Sequence, residues 1–520
     1  MDALIWLAIF ALVLKFLHVI YRLTFHPLAR FPGPKLAGAT HLYGMYYDLL
    51  RAATLVKMLP ELHEKYGPIV RIFPNELHIR DMEAFNEVYK SGTKFDKNAE
   101  WYSNPFFEGS HITIPDLKTA KQRKDMFQPY FSKAAIQRVE PLLKESTESF
   151  LKALRKATSE ARMVDLTFGF RCLTADIIMD YCYQKPFGAL AAPDFRFPLI
   201  VALDKYSQAG QWDKYFLHIF RVIAAVLNSI PPEIAKMILP PMSSIQWMQK
   251  ANISQSEQSM LADHLKQECG SQIHALKQRP QSAIHPYPTI FDVMLNPNPE
   301  KNQYTPSDND LTAEAILMLA AGMDTSATTL VLGTWHVISQ SGVCKKLREE
   351  LSKAMPERDK VYELAILENL PYLRGVVKES LRLSYGAPGR LPRIVPSGGA
   401  RFCGRDIPPG TIVSQSSYVY HADERIFADA AKFIPERWLS EDYAKLDRHM
   451  VAFSRGSRGC LGVNLAYAEL YLTFAHLFRN FDLSPYQTSA ADMDWGDYFI
   501  TVTRGHLKVR LQELDHQKRH

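Results

Sequence analysis

Apolar residues recur with helical spacing along most of the chain, and the longest such segment lies past its middle. Ser307–Ser339 begins with capping residues and then carries apolar side chains on nearly every face, which predicts a long, deeply buried helix. Glu368–Gly386 and Val463–Phe481 predict two further helices. Ala400–Val413 has the Gly and Pro-Pro-Gly punctuation of a hairpin between short strands. The pattern predicts a mainly α protein with a small β region.

A separate apolar run lies at the N-terminus. Ala3–Tyr21 has only Lys15 and His18 as polar interruptions, and as a helix it would span roughly 29 Å, enough to cross a bilayer. Basic residues follow this run and only Asp2 precedes it, which predicts that residues 1–22 are a single transmembrane anchor with the remainder in the cytoplasm. A helix lying in the membrane interface is the alternative.

Prolines separate this run from the remainder of the chain. Pro27, Pro32 and Pro34 cannot continue a helix, so residues 23–38 are predicted to form a stiff hinge. No internal repeat or second linker follows, and residues 39–520 are predicted to form one large domain.

Composition narrows the class of protein. The 520 residues are 47% hydrophobic, enough for a large core, and the net charge of +6 is spread along the chain, so no nucleic-acid partner is indicated. Mild basicity suits a membrane surface or an acidic partner. The six cysteines are scattered, which argues against a disulfide scaffold or a zinc knuckle and fits a reducing compartment.

The centre of the long predicted helix contains residues that are poor helix formers. Ala321–Thr325 reads AGMDT, which places an acid and a hydroxyl in an apolar helix. The Thr325 hydroxyl can bond the carbonyl of Ala321 and loosen the helix locally. A close helix crossing that needs small residues is the packing alternative, but local rules tend to fail at functional sites.

Three glycines surround one cysteine in Phe453–Gly462, FSRGSRGCLG, where a loop meets a helix N-terminus. The helix end predicts a lowered pKa for the Cys460 thiol. A catalytic nucleophile, a redox sensor and an axial ligand to a metal cofactor all suit such a thiolate. The glycines favour the third role, because a flat macrocycle against the loop requires backbone without side chains.

Two further charged patterns are ambiguous when taken alone. Glu379 and Arg382 are three apart on a predicted helix, a spacing that usually means an exposed ion pair. Arg437, in the stretch PERW, follows in a second pair that reads as exposed.

Together these motifs resemble those of the cytochrome P450 family. Phe453, Gly456, Arg458, Cys460 and Gly462 match its haem-binding pattern at every position, and AGMDT, the Glu379–Arg382 pair and PERW follow the family's order. The resemblance extends from the proline segment to the end of the sequence. The segment YRLTFHPLARFPGPKLAG is similar to the corresponding segment of membrane-bound fungal members that serve secondary metabolism.

The resemblance implies a role for each matching residue. Cys460 would be the proximal ligand to the iron of haem b, and Arg458 and Arg393 would face the haem propionates. Asp324 and Thr325 would organise the water chain that protonates bound dioxygen. The remaining roles would be the distal pocket lining, Ala321 and Gly322, and a buried structural triad, Glu379, Arg382 and Arg437.

One position departs from the family's pattern. Many members carry Trp or His four residues before an Arg on the helix preceding QPYFSK, and the matching positions here are Ala120 and Lys124. Arg123 or Lys121 could then supply a propionate contact. Basic residues of this proximal side are also predicted docking charges for a redox partner: Lys121, Arg123, Lys124 and Arg455.

The implied activity is insertion of one oxygen atom from O₂ into a lipophilic small molecule, at the endoplasmic reticulum membrane. Electrons would come from NADPH only indirectly, through a separate reductase, because no G-x-G-x-x-G fingerprint is present. Aromatic residues suggest a terpenoid, polyketide or indole-type scaffold: Trp101, Tyr102, Phe106 and Phe107. A haem-thiolate isomerase, dehydratase or radical-coupling enzyme, and a non-catalytic haem-binding protein, are the alternatives.

Overall fold

Helices dominate the computed structural model, which describes residues 2–104, 107–160, 162–209, 246–278, 289–298, 300 and 303–514. In these ranges the α-helices are α1 Asp2–Thr24, α2 Lys35–Ala39, α3 Leu42–Met45, α4 Leu55–Tyr66, α5 Met82–Tyr89, α6 Ala99–Tyr102, α7 Leu117–Phe127, α8 Lys133–Arg138, α9 Glu140–Ser159, α10 Leu166–Tyr183, α11 Pro198–Ala209, α12 Gln246–Gln278, α13 Asp292–Leu295, α14 Asp308–Ile338, α15 Ser341–Ala354, α16 Leu364–Leu367, α17 Pro371–Ser384, α18 Ser417–His421, α19 Tyr443–Asp447 and α20 Val463–Asn480.

The strands are short and form small sheets. They are β1 Ile69–Phe73, β2 Glu76–Ile79, β3 Asp96–Lys97, β4 Val164–Asp165, β5 Arg393–Ile394, β6 Ala400–Phe402, β7 Arg405–Ile407, β8 Ile412–Ser414, β9 Phe481–Pro485, β10 Trp495–Tyr498, β11 Ile500–Thr503 and β12 Lys508–Glu513. One sheet has the order β1-β2-β8-β5-β3, and another has β4-β12-β9. The prediction of a mainly α protein with a small β region is confirmed.

Helix α14 is the centre of the core. It begins where the Ser307 side chain accepts a hydrogen bond from the Asp310 amide, and most of its length is buried. Helices α10, α17 and α20 pack against it, so the three helical segments predicted from apolar periodicity lie side by side. Because a helix that is apolar on nearly every face needs neighbours on every side, α14 passes through the interior.

The predicted hairpin is formed by β6 and β7, which are antiparallel. Its turn contains Cys403 and Gly404, both with positive φ (49° and 74°). Pro408, Pro409 and Gly410 then lead into β8, which joins the five-stranded sheet by pairing with β2 and β5. The glycines and prolines of this segment therefore predicted the positions of the turns correctly.

The segment after α1 packs on the domain. Leu28 and Phe31 are buried with the residues of the five-stranded sheet, and a guanidinium nitrogen of Arg71 on β1 donates to the Arg22 carbonyl at 2.8 Å. Gly33 lies against the Arg71 carbonyl so closely that an added Cβ would be 2.3 Å from that oxygen. The proline-containing segment is therefore held by the domain over much of its length.

The N-terminal apolar run is helical, as predicted. Its large side chains are exposed in the chain alone, among them Trp6, Phe10, Leu12 and Phe16. By length and hydropathy, the described helix that meets the criteria for a membrane span is Asp308–Ile338, and 67% of its apolar window is buried inside the protein.

Candidate active site

The loop that carries Cys460 folds into a tight turn, Gly456–Arg458, ahead of α20. The Cys460 amide donates to the Phe453 carbonyl at 2.8 Å and closes the loop. Gly456 has a φ of 66°, and an added Cβ would lie 2.2 Å from the Tyr89 carbonyl oxygen. An added Cβ at Gly462 would meet nothing within 4 Å. Gly456 is therefore required by contact with the end of α5, whereas Gly462 borders open space.

The Cys460 thiol combines two properties that rarely occur together. The residue has exposed surface, yet protein surrounds it, and this burial raises the pKa of the thiol. The Gly462 amide and the Lys124 ammonium oppose that rise without overcoming it. The prediction of a lowered pKa is therefore wrong for the metal-free thiol, because desolvation outweighs the helix end.

The direction of this pKa shift bears on the three roles considered for Cys460. A nucleophile or a redox sensor needs a thiolate at neutral pH, which this environment disfavours. A metal cation deprotonates a coordinating thiol outright, so a raised intrinsic pKa is no obstacle to a metal ligand. Exposed surface inside a protein enclosure is also what a bound cofactor would cover.

Lys124 on α7 faces this loop directly. Its Nζ donates to the carbonyls of Gly459 at 2.6 Å and Ser457 at 3.0 Å. Lys121 instead lies on the surface beside Asp125. Arg123 is buried, and its side chain contacts Tyr304 on the other side of α7. The proposal that Lys121 or Arg123 replaces the missing basic contact is therefore not supported, and Arg123 is too buried to be a docking charge.

Buried and half-buried cations cluster beside the loop. Arg458 points at the 111–116 segment, where its guanidinium donates to carbonyls including that of His111 at 3.0 Å, and its Nε has no hydrogen-bond partner among the described residues. Burial and the nearby Arg393 lower the pKa of Arg458 to about 10. Arg393 itself is buried and donates to the Tyr102 hydroxyl at 2.7 Å.

Lys97 is a member of this cluster that the sequence analysis missed. It lies opposite Arg393 in the β3–β5 pair, it is buried, and its Nζ donates to the Ile112 carbonyl at 2.6 Å. Burial, together with Arg393 and Arg458, lowers the pKa of Lys97 far below its ordinary value. Mutual repulsion among Lys97, Arg393 and Arg458 favours an anionic partner, and two carboxylates of a cofactor would satisfy the cluster.

The middle of α14 carries the residues predicted for the distal side of the site. Ala321 is exposed although it lies midway along a buried helix, so it borders open space. The Thr325 hydroxyl donates to the Ala321 carbonyl at 2.8 Å, which confirms the predicted bond across one turn. Gly322 faces α10 instead, where an added Cβ would lie 2.7 Å from Ile178. The packing alternative therefore explains Gly322, but it does not explain Ala321 or Thr325.

Asp324 turns toward α10, where Arg171 Nε lies 2.9 Å from its carboxylate. Burial raises the pKa of Asp324, although Arg171 opposes the shift. The acid and the hydroxyl of AGMDT are therefore held separately, one by a neighbouring helix and the other by its own helix.

Glu379 and Arg382 form a fully buried pair, which corrects the exposed ion pair suggested by their spacing. Both Glu379 oxygens accept from Arg382, at 2.7 and 2.9 Å, and Arg437 Nε lies 3.0 Å away. The Trp438 indole donates to Glu379 at 2.8 Å. Arg382 also donates to three carbonyls of the following segment: His421, Ala430 and Lys432. The triad thus fixes the chain that leads to the Cys460 loop.

Some of the aromatic residues predicted to line the pocket contact arginines or the core instead. The Trp101 ring lies 4.4 Å from the Arg390 guanidinium, and Tyr102 binds Arg393. Phe107 is partly buried against the core, and Phe106 lies outside the described residues. Phe499, at the tip between β10 and β11, was not singled out from sequence, yet it is exposed with a φ of 76° and its ring meets the Tyr102 ring edge-on.

Comparison with known proteins matches residues 34–507 to the family model for cytochrome P450. The chain belongs to the cytochrome P450 family. It is 35% identical to cytochrome P450 monooxygenase astB of Aspergillus terreus, over 91% of this chain and 89% of that protein. It is 34% identical to pbrB of Penicillium brasilianum, over 95% and 94%, and 34% identical to tpcC of Cochliobolus heterostrophus, over 91% and 90%. Both relatives are also named cytochrome P450 monooxygenases.

Membership confirms the family, the haem b cofactor and the oxidoreductase class predicted from the motifs. The residues of this P450 fit haem: the Cys460 thiol has exposed surface within the protein, a cluster of cations could bind two carboxylates, and Ala321 is exposed midway along a buried helix. Lys124 departs from the family pattern at its position. Its ammonium binds the carbonyls of the cysteine loop.

Glu469 on α20 is a further buried acid that the sequence analysis missed. Burial raises its pKa to about 8, with a hydrogen bond to Ser326, the neighbour of Thr325, as the only opposing influence. Its Oε1 has no hydrogen-bond partner among the described residues. Glu469 therefore keeps its proton at neutral pH, and it links α20 to the helix that carries Thr325.

Because of this acid, the stability of the P450 should decrease as pH rises. Between the ordinary carboxyl pKa and about 8 the folded state binds one more proton than the unfolded state, so the free energy of unfolding decreases as pH rises through that window, by up to about 5 kcal/mol. Glu469→Gln should flatten the profile of thermal midpoint against pH. The exposed Glu148→Gln is the control, and a wild-type slope in Glu469→Gln would contradict the assignment.

Proposed function

We propose that this P450 is a haem-thiolate monooxygenase that inserts one oxygen atom from O₂ into a C–H or C=C bond of a lipophilic small molecule. Electrons come from a separate NADPH-dependent reductase. The scaffold is of the terpenoid, polyketide or indole type, and the setting is fungal secondary metabolism. The relatives of similar length, all named monooxygenases, support this reaction class.

One observation carries the proposal. The Thr325 hydroxyl lies one turn of α14 from Ala321 and its open space, and the adjacent Asp324 carboxyl is held by Arg171 on α10. An isomerase, a dehydratase or a simple haem carrier needs no proton relay to dioxygen. Oxygen insertion consumes protons, so a hydroxyl and an acid at this point favour a monooxygenase.

The chain's own residues then have separable roles. Cys460 holds the iron of haem, and haem supplies the activation of dioxygen. Arg393, Arg458 and Lys97 receive the propionates, because they lie close together near the cysteine loop and donate to carbonyl and hydroxyl oxygens rather than to an acid. Lys124 keeps the cysteine loop in place through two carbonyls. Thr325 positions a proton at the distal side, and Asp324 supplies it.

Replacing Thr325 by Ala should divert electrons from product to hydrogen peroxide. Loss of one positioned proton-transfer group costs about 10²- to 10⁴-fold in the step that it serves, so product per NADPH should fall well before NADPH consumption does. Product, hydrogen peroxide and NADPH are measured in the same assay with reductase. Haem content and the carbon-monoxide spectrum should not change.

Thr312→Ala is the matched control, because Thr312 on the same helix makes the same bond to the carbonyl four residues back, at 2.8 Å, near the helix start. Thr325→Ser retains a hydroxyl and should remain coupled. Unchanged coupling in Thr325→Ala would mean that the position is only structural, since Ala is the better helix former.

The substrate is tested with a panel of lipophilic scaffolds in cells that co-express a reductase, followed by mass spectrometry for a gain of one oxygen. Phe499 supports an apolar substrate, because a large ring with a strained backbone is exposed beside Tyr102. Product isomeric with substrate, without added oxygen, would instead identify the isomerase alternative.

We also propose that residues 1–22 anchor the enzyme in the endoplasmic reticulum membrane, with a cytosolic domain. The exposed apolar side chains of α1 support this, since a soluble protein rarely exposes so many together. Because Leu28 and Phe31 belong to the core, a truncation that tests the anchor should begin near residue 22. Recovery of the truncated protein in the membrane fraction to the same extent as the full chain would refute the anchor.

A further inference from the structure

The 111–116 segment covers two of the cations that we assign to the haem propionates. Lys97 Nζ lies 2.6 Å from the Ile112 carbonyl oxygen. Arg458 donates to four further backbone carbonyls of the segment, at 2.8 to 3.0 Å: those of His111, Ile114, Pro115 and Asp116. The segment therefore fixes the side chains that would hold the cofactor by its carboxylates.

Local structure contributes little to the position of this segment. Residues 107–113 form turns and a bend, and residues 114–116 lead into α7 without helix or strand. Its local backbone bonds are those of a turn, such as the bond from the Thr113 amide to the Ser110 carbonyl at 3.1 Å. Loops of this kind open at low free-energy cost unless rigid elements hold them. The position of the segment thus depends on its neighbours.

Glu314 on α14 supplies such a contact. Its side chain is fully buried, and both carboxylate oxygens face His111. Oε1 accepts a hydrogen bond from the His111 amide at 2.6 Å, and Oε2 lies 2.8 Å from His111 Nδ1. One carboxylate therefore holds the backbone and the ring of the residue at which the segment begins, through bonds that its charge strengthens.

The surroundings of this pair are tightly packed. Arg123 on α7 lies 3.5 Å from Glu314 Oε1. The backbone just before His111 lies directly on α14, because a Cβ added to Gly109 would be 2.5 Å from Asp310 Oδ1. The His111 side chain is 17% exposed. The pair is therefore part of the junction between α7, α14 and the segment, and it lies close to the surface.

A segment held in this way keeps the two cations ready for carboxylates. Lys97 and Arg458 have long side chains with many rotamers, and fixing them costs conformational entropy. Their carbonyl partners meet that cost in advance, while Arg458 Nε has no hydrogen-bond partner among the described residues and remains for the cofactor. If the segment moved away, both cations would lose these acceptors. Outer partners of this kind determine how firmly direct contacts hold a bound group.

We propose that Glu314 is a positioning residue for haem retention: by holding His111, it keeps the 111–116 segment on Arg458 and Lys97 and so slows loss of the cofactor. The inference rests on one part of the proposed function, the assignment of these cations to the propionates. It does not depend on the reaction that the enzyme catalyses.

The test follows haem loss and needs neither substrate nor reductase. Ferric holoprotein is mixed with an excess of apomyoglobin, which captures released haem, and the change in Soret absorbance gives the rate. Glu314→Leu should lose haem about 10- to 100-fold faster than wild type, the loss of affinity typical when an outer partner is removed from a metal site. Glu314→Gln can still accept from the His111 amide, but without the charge, and should give an intermediate rate.

His111→Leu tests the same contact from its other side and keeps the buried carboxylate, so it serves if Glu314→Leu does not fold. It should accelerate haem loss by less, because the His111 amide remains. The double variant should lose haem no faster than Glu314→Leu alone, since both changes open one contact. In an Arg458→Gln background, Glu314→Leu should have a smaller effect than in wild type.

His506→Leu is the matched control, because it also removes a contact between a partly exposed histidine and a carboxylate, 2.7 Å from Asp165. Neither residue of that pair contacts Arg458 or Lys97 among the described residues. The control should lose haem at the wild-type rate even where its thermal midpoint falls. A purely structural role for Glu314 predicts instead that haem loss follows the thermal midpoint in all variants.

A wild-type rate in Glu314→Leu or in His111→Leu would overturn the inference, and so would equal acceleration in His506→Leu. The proposed propionate contact is checked separately by Arg458→Gln, which should lose haem faster than wild type. A wild-type rate in Arg458→Gln would refute the propionate assignment and the inference with it, whereas fast loss in Arg458→Gln alone would refute only the inference.

Discussion

Replacing Cys460 by Ser should abolish the thiolate-type carbon-monoxide spectrum of the reduced protein and with it all oxygen-insertion activity. Cys460 is the cysteine at the loop that closes through the Phe453 carbonyl and borders enclosed open space. A serine hydroxyl does not ionise at neutral pH in a site where burial already raises the pKa of the thiol. The strongly donating ligand would therefore be lost, even if haem is retained by the cation cluster.

Two measurements make this result specific. Haem content per chain separates loss of the ligand from loss of the cofactor, and Cys403→Ser is the control, because Cys403 is exposed in the β6–β7 turn. The control should keep the wild-type spectrum. A thiolate-type spectrum in Cys460→Ser would show that another residue is the ligand.

Replacing Glu379 by Ala should prevent stable folding of the haem-bound protein. The substitution leaves Arg382 and Arg437 without their carboxylate and Trp438 without its acceptor, all in the interior. Removing one partner of a buried ion pair costs about 3–5 kcal/mol, a large share of the roughly 5–15 kcal/mol that stabilises a folded domain. The thermal midpoint and the yield of haem-loaded protein should both fall sharply.

The surface pair Arg401–Asp406 provides the contrast, since both side chains are more than half exposed. Asp406→Asn should change the stability by about 0–1 kcal/mol. Glu379→Gln preserves shape but not charge and should still be strongly destabilised, because two buried guanidinium groups would share one neutral amide. Near wild-type stability in Glu379→Ala would mean that the pair contributes little to the fold.

Local patterns were sufficient to predict the main helices and one hydrogen bond of the candidate site. Apolar periodicity located α14, α17 and α20, and the bond from Thr325 to the Ala321 carbonyl followed from helix geometry alone. Cys460 was identified because its neighbours in sequence are also its neighbours in space. Features confined to one helix or one loop can be read in this way, since their geometry depends on a few consecutive residues.

The spacing of charged residues along the sequence could not reveal which side chains are buried. Glu379 and Arg382 have the spacing of a surface pair, and only the packing of α17 under the 421–438 segment makes them a buried triad with Arg437. The pKa of Cys460 was predicted in the wrong direction for the same reason, because desolvation depends on the surrounding chain. Gly456 was assigned to the cofactor, whereas its close partner is the backbone at Tyr89.

Long-range charge networks were the least accessible from sequence. Lys97 and Arg393 are opposite each other although nearly three hundred positions separate them. Asp324 contacts Arg171, which also contacts Asp204, and Asp204 in turn contacts His506. Asp324 and Arg393 were singled out from sequence motifs, but nothing in the sequence connected them with Arg171, Asp204, His506 or Lys97. Their function depends on which charges share a low-dielectric interior, and Coulomb interactions there act through distances in space that the linear order of residues does not specify.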